Sequence, residues 1–154
     1  MLVRGRTVQE RALVAHRLCA QMTDQGLSQD DRAKAQEILR IMASDATELV
    51  RRALAATLRS SDLVPRDVAL QLAQDVERIA VPILSNSPAF TDADLIEIVK
   101  IGDPIRQLAV ARRPFVSEQV SQVIIEVADE PAVEAVCSND NAVLPSELLQ
   151  KVMD

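Results

Sequence analysis

The stretch that decides the fold is Leu49-Val50-Arg51-Arg52-Ala53-Leu54-Ala55, because related segments recur three more times toward the C-terminus. The equivalent residues Val50, Val76, Ile105 and Val133 lie 26, 29 and 28 positions apart. Each segment is followed by a second stretch that has a helix-start signal and an apolar stripe. A period of this length with two helices per unit is typical of a stacked helical solenoid.

The sequence before the repeats predicts a helical hairpin. Apolar residues at spacings of three and four indicate a helix over residues 7–25, opened by Thr7 with Glu10 as a capping box. Gly26 would end this helix, and Ser28 would start the next one. The predicted fold is therefore all-α, with an N-terminal hairpin at 1–44, a possible dimerisation element, and a short right-handed α-solenoid of about four HEAT-like two-helix repeats at 45–154.

Prolines and apolar positions refine this prediction. Pro65 and Pro145 suit the first turn of a helix, where no N–H is needed. Pro82 and Pro114 follow apolar runs, and we expect each to end or kink the first helix of its repeat. The residues predicted to lie in the core are Leu54, Leu72, Ile79, Ile98, Leu108, Val123 and Val136.

Composition excludes several classes of function. Aromatic residues make up 1% of the chain, which disfavours a single-strand nucleic-acid module that stacks bases. Residues up to Asp75 carry 11 basic and 10 acidic groups, a net of +1, whereas the rest carries 6 and 13, a net of −7. The acidic second half disfavours DNA binding along the whole solenoid. No apolar run is long enough for a membrane span or a secretory signal, so we expect a cytoplasmic protein.

Several segments resemble a known family. The pieces are Glu37-Ile38-Leu39-Arg40, Val50-Arg51-Arg52-Ala53-Leu54-Ala55, the helix from Asp67 to Asp75, Ala80-Val81-Pro82-Ile83-Leu84, Asp94-Leu95-Ile96 and the most distinctive one, Leu108-Ala109-Val110-Ala111-Arg112-Arg113-Pro114. From Leu27 to about Glu147 the chain resembles the bacterial, largely alphaproteobacterial domain of unknown function 2336. The resemblance implies HEAT-type helical repeats without established catalytic residues. The role it suggests is redox-linked inhibition of topoisomerase IV, the enzyme that decatenates chromosomes.

The residues themselves give little sign of catalysis. His16 is the single histidine, so a histidine-based metal cluster cannot form within one chain, and a surface position on a helix explains it. The chain has no glycine-rich phosphate loop and no CxxC pair. We therefore expect no enzyme activity, no cofactor and no metal site.

Arginines on the first helices of the repeats are the stronger signal. Equivalent positions align in a solenoid, so Arg51, Arg106, Arg112 and Arg113 are candidates for a partner-binding face, since a guanidinium suits carboxylate recognition. The alternative is structural: Arg51 or Arg106 pairs with the recurrent aspartates Asp45, Asp75 and Asp103 and ties neighbouring repeats together. For Arg112 and Arg113 the two interpretations have equal weight.

The two cysteines, Cys19 and Cys137, are expected to be reduced in the cytoplasm unless they sense redox state. Cys19 lies on the apolar stripe of the first helix and is either a small core residue or a thiol that meets its copy across a dimer axis. Cys137 has polar neighbours and is expected to be more exposed. Both are the candidate redox or dimer residues.

The predicted function is that of a non-enzymatic helical-repeat regulator that binds another protein, with topoisomerase IV as the partner suggested by the resemblance, and that forms a homodimer. The alternative is a nucleic-acid-binding protein that uses the arginine-bearing N-terminal region, where Arg4, Arg6, Arg11 and Arg17 face one acid, Glu10. An enzyme ranks third.

Overall fold

The computed structural model describes residues 28–147 together with Thr7, Gln9, Glu10, 12–14 and Arg17. His16 and Cys19 lie outside the described residues. Eight helices lie within residues 28–147, so the all-α prediction is confirmed for the described part. They are α1 (Gln29–Ala43), α2 (Glu48–Leu58), α3 (Arg66–Ala73), α4 (Glu77–Asn86), α5 (Asp92–Ile101), α6 (Pro104–Ala111), α7 (Glu118–Val127) and α8 (Glu130–Ser138).

Extended pairing in the described residues is limited to an isolated parallel bridge between Val116 and Ala142. A bilayer span takes about 20 apolar residues, and none of the helices in the described part of the chain provides one. The described residues therefore pack almost entirely as helix against helix.

Several helices begin at a short polar residue whose side chain caps the first turn. Thr91 and Asp94 form a reciprocal capping box at the start of α5, with N···O distances of 3.0 and 3.1 Å. Thr7 and Glu10 form the same arrangement at 3.2 Å in both directions, as predicted. Ser117 accepts a hydrogen bond from the N–H of Val120 at the start of α7. These local contacts satisfy N–H groups that have no partner within the helix.

Pro82 does not end its helix, whereas the alternative, that it kinks the helix, stays a prediction. α4 continues from Glu77 to Asn86 with Pro82 in its interior. An interior proline costs about 3 kcal/mol, but Ile79, Ile83 and Leu84 on the same helix are fully buried. Each of these side chains contributes about 1.5–3 kcal/mol by burial, which outweighs the cost. α6, in contrast, ends at Ala111 ahead of Pro114, as expected.

The described residues divide into two compact units. The first comprises Met1–Ile83 with Ser87–Ala89, and the second comprises Leu84–Asn86 with Phe90–Asp154. This division does not coincide with the expected boundary at residue 44, which stays a prediction.

Four of the seven predicted core residues are confirmed, and three are corrected by one or two positions. Leu54, Leu72, Ile79 and Val136 are at most 1% exposed. Ile98, Leu108 and Val123 are only half-buried, whereas Val99, Val110 and Ile124 are fully buried in their helices. Each helical step rotates a side chain by about 100°, so a residue one or two positions away from a buried one points in a clearly different direction.

The second unit packs helices two apart in the chain. α6 packs most extensively on α8, and α5 packs on α7. Asn139 Nδ2, just after α8, donates to the carbonyl oxygen of Ala111 at the end of α6 at 3.0 Å. Arg113 Nη1, just after α6, donates to the carbonyl oxygen of Leu84 in α4 at 2.6 Å. These bonds join residues 28 and 29 apart, the same spacing as the sequence period.

Candidate partner-binding site around Arg112

The candidate site lies in the second unit, where α6 ends. The backbone N–H of Arg112, the C-cap residue, donates to the carbonyl oxygen of Leu108. Pro114 follows two residues later and has no N–H with which to continue the helix. Because the helix stops here, the neighbouring Arg112 and Arg113 take opposite environments: Arg112 is exposed and Arg113 is buried.

Arg113 is a structural residue, and its assignment to the partner-binding face is corrected. Its side chain is 8% exposed, and its guanidinium lies 5.6 Å from the ring centre of Phe90. Besides that cation–π contact it donates to the carbonyl oxygen of Leu84. Burial lowers the pKa of Arg113 from its ordinary value, and the charge of Asp92 acts in the opposite direction. A group held this deeply cannot reach a partner.

Arg51 adopts the structural alternative. Its Nε and Nη2 atoms donate to both carboxylate oxygens of Asp75 at 2.7 and 3.1 Å, and Nη1 donates to the carbonyl oxygen of Asp45 at 2.8 Å. The Arg51 and Asp75 side chains are 18% and 14% exposed. The hydrogen bond from Asp75 raises the pKa of Arg51, although desolvation opposes it. This bidentate pair joins the start of α2 to the segment that precedes α4.

Arg106 pairs within its own helix. Asp103 is the N-cap residue of α6, where it accepts the backbone N–H of Arg106 at 2.9 Å and also forms an ion pair with its guanidinium. The backbone hydrogen bond from Arg106 lowers the pKa of Asp103, and the charge of Arg106 adds to this effect. The Arg106 side chain is 17% exposed, and its pairing with Asp103 contributes to the cap of α6.

Of the four candidate arginines, Arg112 is the one whose guanidinium is available to a partner. Its guanidinium forms no hydrogen bond or ion pair with any residue in the described part of the chain. It lies at the rim of an open pocket of about 290 Å³ between α6 and α8. The other lining residues are Leu108, Pro131, Glu134, Ala135 and Ser138.

Asn139 positions this site and was missed in the sequence. Its side-chain amide donates to the carbonyl oxygens of Ala111 and Arg113, at 3.0 and 2.9 Å, and thereby fixes the backbone on both sides of Arg112. Its Oδ1 accepts the N–H of Asn141 at 2.9 Å. An asparagine directly after a helix is common in turns, and this position alone gives no sign of bonds to residues 26 and 28 positions away.

An exposed apolar residue extends the site beyond Arg112. Phe115 is 62% exposed and precedes Val116, whose carbonyl oxygen accepts the N–H of Val143 at 2.9 Å. Val143 is itself 44% exposed. This backbone hydrogen bond joins the loop that follows Arg112 to the segment after α8.

Cys137, the described candidate redox residue, is an exposed free cysteine on α8. The next residue, Ser138, lines the pocket. Among the described residues, no group of three or more histidine, cysteine, aspartate or glutamate side chains is arranged to hold a metal ion.

Residues 79–154 match the model of a family described as "Uncharacterised protein conserved in bacteria (DUF2336)". The match includes α6, Arg112 and the pocket residues, and it confirms the resemblance of the segments from Ala80 to Pro114. The segments before residue 79 lie outside it. No curated protein and no solved structure matches the chain.

Proposed function

We propose that this chain is a non-enzymatic helical-repeat regulator that binds another protein through Arg112 and the α6–α8 pocket. The observation that carries this proposal is the contrast between Arg112 and the other candidate arginines. Arg51, Arg106 and Arg113 have partners within the chain, whereas Arg112 is exposed at the rim of a pocket. Arginine is enriched among the residues that dominate binding energy in protein interfaces.

The pocket favours a partner segment that combines an apolar side chain with charge. Leu108, Pro131 and Ala135 offer an apolar surface for that side chain. Arg112 offers a planar guanidinium to a carboxylate, which it can bind through two parallel hydrogen bonds. Glu134, which also lines the pocket, offers a negative charge to a lysine or arginine of the partner. An exposed face of an amphipathic helix has this combination.

The proposed framework is a right-handed α-solenoid of HEAT-like repeats. The ties within each unit support it. Gln71 Nε2 donates to the carbonyl oxygen of Ala43, 28 residues away, and the bonds of Arg113 and Asn139 in the second unit have nearly the same separation. Solenoids of this type present surfaces to other macromolecules.

Topoisomerase IV is the partner that the family resemblance suggests, and redox control through the cysteines belongs to the same proposal. Cys137 is exposed beside the pocket residue Ser138. Oxidation of its thiol would add bulk and polarity next to the proposed contact surface. Cytoplasmic location follows from this partner.

Affinity purification with quantitative mass spectrometry tests the proposal. The baits are the wild-type chain, Arg112→Glu and the control Arg52→Glu, since Arg52 is an exposed arginine on α2 in the other unit. We expect proteins retained by the wild type and by Arg52→Glu to fall at least tenfold on Arg112→Glu. Equal retention by all three baits would contradict the proposal.

A decatenation assay tests the identity of the partner separately. Purified topoisomerase IV is incubated with catenated DNA and increasing amounts of the wild-type chain, with and without a reductant. Inhibition that is lost in Arg112→Glu supports this partner. No inhibition under either condition removes topoisomerase IV and leaves the retained proteins from the purification as candidates.

A further inference from the structure

Three exposed apolar side chains of the second unit lie next to the turns that follow α5 and α7. Ile101 ends α5, Ile105 lies in the first turn of α6, and Val127 ends α7. They are 78%, 44% and 50% exposed. We call these three residues the apolar edge. Exposed apolar groups gathered in one place mark interaction surfaces more often than isolated ones do.

A buried glutamine brings the two turns of this edge together. Gln107 is 7% exposed; its Nε2 donates to the carbonyl oxygen of Val99 in α5 at 2.9 Å, and its Oε1 accepts the N–H of Asp129 at 3.1 Å. The end of α5 and the turn after α7 are therefore joined through one side chain. Ile101 and Val127 each lie two residues from these bonded groups.

The surroundings of the apolar edge are acidic. Residues 100–106 and 126–130 contain four carboxylates and two cations. One cation, Arg106, is already paired with Asp103. The remaining groups are all exposed: the carboxylates of Glu126, Asp129 and Glu130 and the ammonium of Lys100, which together carry a net charge of −2. An apolar centre with this rim fits an apolar side chain flanked by arginine or lysine.

The N-terminal helical segment of the chain has the complementary character. Leu13 and Arg17 are helical and exposed, and they lie four residues apart, a spacing that places both on one helix face. Leu13 is 51% exposed. Residues 1–22 contain four arginines against one acid.

We infer that the apolar edge is a self-association surface that receives the Leu13–Arg17 face of a second copy of this chain. Leu13 packs against the apolar edge, and Arg17 lies among the carboxylates of its rim. Two copies that exchange this contact reciprocally close a twofold dimer, because each one offers both halves of the interface. This contact does not use the predicted apolar stripe that contains Cys19. None of its residues lines the Arg112 pocket.

Sedimentation of the full chain tests this inference. We expect a concentration-dependent species of twice the 16.9 kDa of one chain. Leu13→Asp and Val127→Asp should each raise the dimer dissociation constant at least tenfold, because each places a charge in an apolar contact. The control Ile41→Asp, at a 63% exposed apolar position on α1, should leave it unchanged.

Charge reversal tests the ionic half of the contact. Arg17→Glu should weaken the dimer, and Glu126→Lys together with Glu130→Lys in the same chain should restore it, since paired sites are coupled. A monomer at all concentrations overturns the inference. So does a dimer that neither Leu13→Asp nor Val127→Asp weakens, and in that case another surface holds the copies together. Circular dichroism of each variant verifies that it is folded.

Discussion

Arg51 and Asp75 are 24 residues apart in the chain and are joined by two side-chain hydrogen bonds, of 2.7 and 3.1 Å. Their separation is close to the 26 positions between the equivalent residues Val50 and Val76. A bidentate pair whose two side chains are mostly shielded from water holds its geometry better than a surface ion pair does. The pair therefore ties α2 to the segment that precedes α4.

Loss of this pair should destabilise the fold. Arg51→Ala removes two side-chain donors from Asp75, whose side chain is mostly shielded from water. We expect a loss of about 1–3 kcal/mol in the free energy of unfolding, between the values for exposed and fully buried pairs. Urea unfolding followed by circular dichroism measures it. Arg52→Ala, one residue away and exposed, should change stability by less than about 0.5 kcal/mol; equal losses in the two variants would argue against a structural role of the pair.

Substitution of Arg113 should lower the stability of the fold, whereas substitution of Arg112 should not. Arg113→Ala removes a buried side chain that contacts Phe90 and leaves the carbonyl oxygen of Leu84 without this donor. We expect a loss of about 2–4 kcal/mol. Arg112→Ala should unfold at the wild-type urea concentration, since its guanidinium has no partner in the described residues. If Arg112→Ala were as destabilising as Arg113→Ala, the assignment of Arg112 to a binding role would be wrong.

Acid should weaken the start of α6 through Asp103. Its pKa lies below the ordinary value because the N–H of Arg106 donates to it and the guanidinium attracts it. The charged form therefore stabilises the fold: this contribution is complete above the unfolded pKa, near 4, and is lost as pH falls through the lower folded pKa. Asp103→Asn keeps a good N-cap residue but no charge. Thermal unfolding between pH 6 and pH 2.5 should show a smaller drop for the variant, and parallel curves would contradict this explanation.

Gly102 should not tolerate a side chain. It joins α5 to α6, and its N–H donates to the carbonyl oxygen of Ile98 at 2.6 Å. A Cβ at this position would collide with the same oxygen atom, which belongs to the backbone and cannot turn aside. Gly102→Ala should lower stability by about 1–3 kcal/mol, as overpacking does. A thermal midpoint at or above that of the wild type would mean that the turn adjusts at little cost.

Local features of this fold were predictable from the sequence. The capping residues Thr7, Thr91 and Ser117 act on N–H groups three residues ahead, so their effect depends only on near neighbours in the chain. The pairing of Arg51 with Asp75 was one of two alternatives, because recurrent arginines and aspartates at a common period suggest contacts between units. The helices were predictable because the spacing of apolar residues also depends only on near neighbours in the chain.

Features that depend on tertiary contacts were not predictable. Arg112 and Arg113 are adjacent and chemically identical, and only the packing of α6 decides which one is buried. Pro82 lies inside α4 because burial of neighbouring side chains outweighs its local cost. Asn139 donates hydrogen bonds to carbonyl oxygens 26 and 28 residues away, and no local sequence pattern indicates partners at that distance.

The most direct test of the central claim is the affinity of the partner recovered by purification for Arg112→Ala compared with the wild type, measured by biolayer interferometry. Truncation of an interface arginine that dominates binding costs about 1.4–2 kcal/mol, so we expect the Kd to rise about 10- to 30-fold with an unchanged midpoint of unfolding. A Kd equal to that of the wild type would contradict the assignment of Arg112 and the α6–α8 pocket as the partner-binding site.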